Sequence, residues 1–200
     1  TELKNNGKED LGVEYVSSFA LLGIDKEGLL STDQKLEVLI ARNAWQKELI
    51  WNRFSMDQLG MSISQPDKVR RSSQTISVGN TGNWSTKNYL PMGCLKNKET
   101  DSILFWQIEQ NGSWYWEISD QDGHMYLQLS GPTEHQSHWW KNLKPGDTFK
   151  SVPVSIGSAC GDVEEAAGEL TKYRRAIRRK NEDNEKLPVI FNDYMNCLWG

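Results

Sequence analysis

Ile103-Leu-Phe-Trp-Gln-Ile-Glu-Gln-Asn111-Gly112-Ser-Trp-Tyr-Trp-Glu-Ile-Ser119 is the stretch on which the fold of this chain turns. Aromatic and branched apolar residues flank a central Asn-Gly pair, the composition of two strands joined by a tight turn. Asn-Gly suits a type I′ turn, whose twist matches the strands it connects. The segment therefore predicts a hairpin in which Trp106 meets Trp114 or Trp116 as an aromatic cross-strand pair.

Working outward, further short strands alternate with turn chemistry. Upstream, 13–24 ends at the Asp25-Lys-Glu-Gly28 turn, and 36–40, 45–51 and 74–78 are strand candidates. Downstream, Asp120-Gln-Asp-Gly123 leads into 125–129, and Lys144-Pro-Gly-Asp147 introduces 149–156. Strands this frequent predict an all-β antiparallel sandwich over residues 12–158. The polar residues 1–11 are expected to fray.

At Gly161 the pattern changes. Asp162 is a suitable N-cap, and Glu165 three residues on completes a capping box. Val163, Ala166, Ala167, Leu170, Tyr173 and Ile177 recur at helical spacing. Glu164 and Glu165 lie in the first turn, and Arg174, Arg175, Arg178, Arg179 and Lys180 crowd the end, which complements the helix dipole. A linking helix over 159–186 follows, its basic end read as solvated rather than as a phosphate site. The apolar run 187–191 with Pro188 near its start then reads as a strand buried on both faces. It breaks into Asn192-Asp193 and the aromatic Tyr194. Barrels and open α/β sheets place ligand sites at such carboxyl ends. The expectation is a chain cut at the threshold of a second domain.

Composition narrows the function. The chain has 200 residues and a net charge of −4, with acids and bases mixed, so no basic face for nucleic acid emerges. No apolar stretch has the length of a membrane span, and residues 1–30 show no signal pattern. Cys94, Cys160 and Cys197 lack metal-ligand spacing and are odd in number, which points to a reducing, cytoplasmic setting. Nine tryptophans suggest sugar stacking or a tryptophan-filled core. His135 and His138 lack a third metal ligand, and Asp120 and Asp122 lack a calcium loop. The sequons at Asn83 and Asn111 are common matches. Neither a nucleophile elbow, a phosphate loop nor a dinucleotide fingerprint occurs, and no carboxylate pair stands out as an acid/base couple. The 200 residues by themselves are read as inactive.

Several stretches together resemble α-galactosidases of glycoside hydrolase family 36. They are Glu164-Glu-Ala-Ala-Gly-Glu-Leu-Thr-Lys-Tyr-Arg-Arg175 and Leu187-Pro-Val-Ile-Phe-Asn-Asp-Tyr-Met-Asn-Cys-Leu-Trp-Gly200. Upstream, Arg42-Asn-Ala-Trp-Gln46, Asn83-Trp-Ser-Thr-Lys87, Leu104-Phe-Trp-Gln-Ile108 and His138-Trp-Trp140 before Leu143-Lys-Pro-Gly146 agree. The resemblance implies an N-terminal β-supersandwich, a linking helix and, at 187–200, the first strand of a truncated catalytic (β/α)₈ barrel. It implies a retaining mechanism with two aspartates roughly 5 Å apart, both on later barrel strands. Of the family's pocket, only residues of this first strand carry over: Asp193 and Tyr194 as residues that bind the terminal galactose, with Cys197 and Trp199 as lesser candidates. Asp193 reads equally as a cap at the strand end. No cofactor is implied; the partners are a galactose-containing oligosaccharide and further copies of the chain in a homo-oligomer, with no nucleic acid and no membrane. An α-N-acetylgalactosaminidase or a raffinose-type transferase, and outside the family a free-standing carbohydrate-binding or subunit-assembly sandwich, stand as alternatives.

Overall fold

The computed structural model describes residues 1–61, 74–121 and 123–192. Two antiparallel sheets face each other. The four-stranded one runs β3 (Ser17–Leu22), β10 (His124–Ser130), β9 (Trp114–Gln121), β6 (Ile76–Asn80). The five-stranded one runs β13 (Val154–Cys160), β8 (Ser102–Ile108), β7 (Tyr89–Asn97), β4 (Leu36–Ala44), β5 (Lys47–Ser55). The main core fills the space between them, with Leu36, Val38, Ile40, Leu95, Trp106 and Ile108 from one sheet against Val78, Trp114, Trp116, Ile118 and Leu127 from the other.

The hairpin expected at Asn111-Gly112 is not formed. Its two flanks belong to different sheets, so the turn carries the chain across the sandwich, and neither residue takes the positive φ that a type I′ turn requires. The tryptophans nevertheless meet: Trp106 and Trp116 lie edge to face with centroids 5.2 Å apart and planes at 77°. They touch through the core rather than along a sheet. Strand pattern identifies inward residues but not which sheet a strand joins. The hairpin is instead β9–β10, where Gln121 pairs with His124 and Gly123 has φ 80°.

Strand β7 is missing from the pattern reading because Pro91, Gly93 and the polar Lys96 and Asn97 interrupt it. Gly93 sits opposite Trp106, and a Cβ there would lie 2.5 Å from the indole. On the other face of β8, a Cβ on Gly157 would lie 2.5 Å from the ring of Phe105. Each glycine leaves room for its neighbour's ring.

The outer face of the five-stranded sheet is also apolar, with Leu39, Cys94, Ile103 and Phe105 buried there. Helix α3 (Val163–Ile177) covers it through Val163, Ala166 and Leu170. α1 (Thr32–Lys35) and α2 (Glu134–Ser137) are single turns earlier in the chain. A helix of 15 residues is marginal alone, so this docking holds α3. Asp162 and Glu165 form the expected capping box. Asp162 also accepts from Arg53 at 2.6 Å, and Arg53 bonds Glu37 at 2.9 Å, which meets Lys98 at 3.2 Å. Burial alone would raise the Glu37 and Asp162 carboxyls, but hydrogen bonds from Arg53, joined by Lys98 at Glu37 and the Val163 N–H at Asp162, hold both below their ordinary values of 4.5 and 3.8. Their stabilisation is complete above those values and is lost as pH falls through the depressed folded values. Urea midpoints are therefore expected to drop in acid, and Arg53→Ala to flatten that drop. The pairs are partly exposed, so the effect is about 1 kcal/mol or less. An unchanged slope in Arg53→Ala would contradict this.

The N-terminus is not frayed. β1 (Glu2–Lys4) pairs with β12 (Thr148–Lys150), and β2 (Leu11–Val13) with β11 (Lys141–Leu143). Asn5 is buried and its side-chain amide donates to the carbonyls of Glu9 and Leu143, both at 2.8 Å. These partners lie up to 138 residues away in sequence, which a local reading of polarity does not see.

Residues 187–192 form no strand. α4 (Glu182–Lys186) ends at Leu187 in the left-handed region, φ 46°, and Val189, Ile190 and Phe191 are exposed. A strand buried on both faces needs strands on either side, and none of the described sheets includes 187–191.

Candidate functional site

The two sheets differ on their outer faces. Where α3 seals the five-stranded sheet, the four-stranded sheet carries polar side chains. Alternation that sends Trp114, Trp116 and Ile118 inward turns Tyr115, Glu117 and Ser119 outward, and β10 turns out Tyr126, Gln128 and Ser130 beside them. From β6, Ser77 pairs with Glu117 and Gly79 with Tyr115 on the same face, and the Tyr115 ring packs close over Gly79.

Beside Tyr115, Glu117 and Gln128, two segments wall part of this face into a cleft of about 260 Å³. One is Glu14-Tyr15. The other is α2 with its N-cap, which supplies Thr133, Glu134, His135 and Gln136. The α2 turn is fixed by its own bonds: Thr133 Oγ1 accepts from the Gln136 N–H at 3.0 Å, and Ser137 Oγ donates to the Thr133 carbonyl at 2.9 Å. The Glu134 N–H donates to the Glu14 carbonyl at 2.8 Å and joins the two walls.

Inside, Glu117 accepts from the hydroxyls of Tyr115 and of Tyr126, the latter at 2.8 Å, and the Gln128 amide donates to the Tyr15 hydroxyl. Burial, then the Glu117 charge, push the Tyr15 hydroxyl up to about 12. Burial and the bond to Glu117 raise Tyr115 and Tyr126 as well. All three stay protonated donors at neutral pH. The cleft offers donors, acceptors and aromatic surface to a small polar ligand.

Asp193 and Tyr194 lie outside the described residues, as does Asp122. His138 caps α2 in the left-handed region and His135 lines the cleft, so the structure separates their roles. Among the described residues, no three His, Cys, Asp or Glu side chains gather closely enough to hold a metal ion. Of the basic end of α3, Arg174 bonds Gln107 and Glu109, while Arg175, Arg178 and Arg179 are exposed. No helix among the described residues is long and apolar enough to cross a membrane. The cleft escaped sequence reading because its residues come from 14–15, 115–117, 128 and 133–136.

An antiparallel sandwich with a helix docked on one sheet is the class this architecture defines. Among solved structures it is similar to part of the GH36 α-galactosidase AgaB from Geobacillus stearothermophilus, with a TM-score of 0.73 at 14% identity over 96% of this chain and 24% of that one. AgaA from the same organism, a variant in complex with raffinose, matches at TM-score 0.71 and 14% identity over 92% of this chain and 23% of that one. The galactosidase domain of the α-galactosidase–sucrose kinase AgaSK matches at TM-score 0.61 and 20% identity, over 80% and 19%. At these identities the likeness establishes the fold, and the chain spans about a quarter or less of each structure it matches. No protein-family model matches the chain, and no curated protein does.

Proposed function

We propose that this chain is the N-terminal, noncatalytic portion of a retaining α-galactosidase that removes terminal α-linked galactose from small oligosaccharides such as raffinose. The observation that carries this reading is the match over 96% of the chain to only 24% of an α-galactosidase. In it, the sandwich is a β-supersandwich over 12–158, 159–186 is a linker, and 187–200 opens a (β/α)₈ barrel. The exposed Val189, Ile190 and Phe191 support it, since an apolar run gains about 1.5–3 kcal/mol per large side chain when a barrel's neighbouring strands bury it. Two aspartates farther along the barrel act as nucleophile and acid/base, roughly 5 Å apart. Asp193 and Tyr194 hold the galactose, Asp193 by hydrogen bonds to its hydroxyls. The sandwich supports the barrel and joins subunits of a cytoplasmic homo-oligomer, and no cofactor takes part.

The test is to read the coding DNA beyond the Gly200 codon and assay the complete product on raffinose. Release of galactose by a product rich in βα units supports the proposal. A product that cleaves no α-galactoside overturns it.

A further inference from the structure

We propose that the cleft on the outer face of the four-stranded sheet is a binding site for a single neutral sugar unit of hexose size. The inference rests on the cleft's own geometry and is independent of any catalytic role of the chain.

Three features carry it. First, the cleft is formed in advance. The bond from the Glu134 N–H to the Glu14 carbonyl ties its walls, the Thr133 cap fixes α2, and Gln128 holds Tyr15. Little ordering remains to oppose a ligand. Second, its size and lining match a small polyol. About 260 Å³ is bounded by the partly exposed Tyr15 and by polar side chains on the facing wall. A pyranose presents both a C–H face, which packs on an aromatic ring, and hydroxyls that donate and accept. Third, bonding capacity remains inside. Each Glu117 oxygen accepts one tyrosine hydroxyl and keeps a second lone pair, and the Gln128 amide keeps a carbonyl and a second N–H.

Charge decides between ligand classes. Glu14, Glu117 and Glu134 line the cleft, and among the described residues no lysine or arginine does, which disfavours an anion. The inner carboxylate, Glu117, already accepts from the Tyr115 and Tyr126 hydroxyls, which disperse its charge, so its remaining lone pairs suit a neutral hydroxyl donor better than a full ammonium charge. Glu14 and Glu134 stand at the solvent rim. A neutral ligand fits this arrangement better.

The test is titration of the ¹⁵N-labelled protein with galactose, glucose and mannose up to about 100 mM, followed by amide NMR shifts. The expected result, for at least one hexose, is saturable shifts at Tyr15, Glu117, Gln128 and 133–136, with a Kd of about 1–10 mM. Tyr15→Ala and Gln128→Ala should each weaken binding about tenfold while the remaining spectrum is unchanged. Affinity should hold between about 50 and about 500 mM salt, since no charge is neutralised. Shifts that map elsewhere leave any sugar site outside the cleft and overturn the proposal, as does binding indifferent to both substitutions. Propylammonium is the probe for the rival: if it occupies the cleft in a salt-sensitive way and the hexoses do not, the cleft is a cation-binding site and the proposal fails.

Discussion

Replacing Trp106 with alanine is expected to lower the unfolding free energy by about 3–5 kcal/mol, the usual cost of deleting a buried indole. Trp106 is 1% exposed and stands at the centre of the sandwich, edge-on to Trp116 and over Gly93. Glycine at 93 cannot move in to fill the void, and the opposing sheet is fixed by its own ladder, so the cavity stays open. For a chain of this size the melting temperature should fall by about 6–20 °C. Trp106→Phe should cost less. It keeps a ring over Gly93 and removes an indole N–H that is buried with no hydrogen-bond partner among the described residues. Trp84, 61% exposed, is the control: its alanine variant should stay within about 0.5 kcal/mol of the parent. Urea unfolding followed by near-ultraviolet circular dichroism measures all three. A Trp106→Ala loss no larger than that of Trp84→Ala would show that the two sheets do not close on this residue.

The second large effect concerns the complete enzyme of the proposed reading. Asp193→Ala should reduce kcat/KM for raffinose about 10- to 150-fold, the worth of a charged hydrogen bond to a sugar hydroxyl. A capping role gives a different pattern. Asparagine caps nearly as well as aspartate, so Asp193→Asn would then restore both activity and melting temperature. If the carboxylate binds galactose, Asp193→Asn should regain the stability but not the full kcat/KM. Tyr194→Ala should also lower kcat/KM. Unchanged kinetics in both alanine variants would remove these residues from the pocket.

What the sequence discloses follows the range of the forces involved. Helix α3 is legible because its signals are local: Asp162 and Glu165 cap it within one turn, and its apolar residues repeat at 3.6. Inward tryptophans are legible for the same reason, since alternation is a property of single strands. Partnership is not. The segments flanking Asn111-Gly112 carry good strand patterns but join different sheets, and nothing within them records that choice. β7 hides behind Pro91 and Gly93, whose meaning appears only when Trp106 is seen alongside. Asn5 looks like part of a loose polar terminus until Leu143 is brought to it. The cleft is the extreme case, since four separate segments must assemble before any of its residues has a role.

The two glycines flanking β8 have a consequence for how this chain can change over time. Position 93 is tied to position 106, and 157 to 105, because in each pair one residue occupies the volume the other leaves open. A lineage that enlarges one member must shrink the other in the same step or pass through a strained intermediate. Such paired substitutions keep the architecture while erasing likeness at both sites together. Comparison that weighs each position separately counts them as two independent differences, although the sheet registers one exchange.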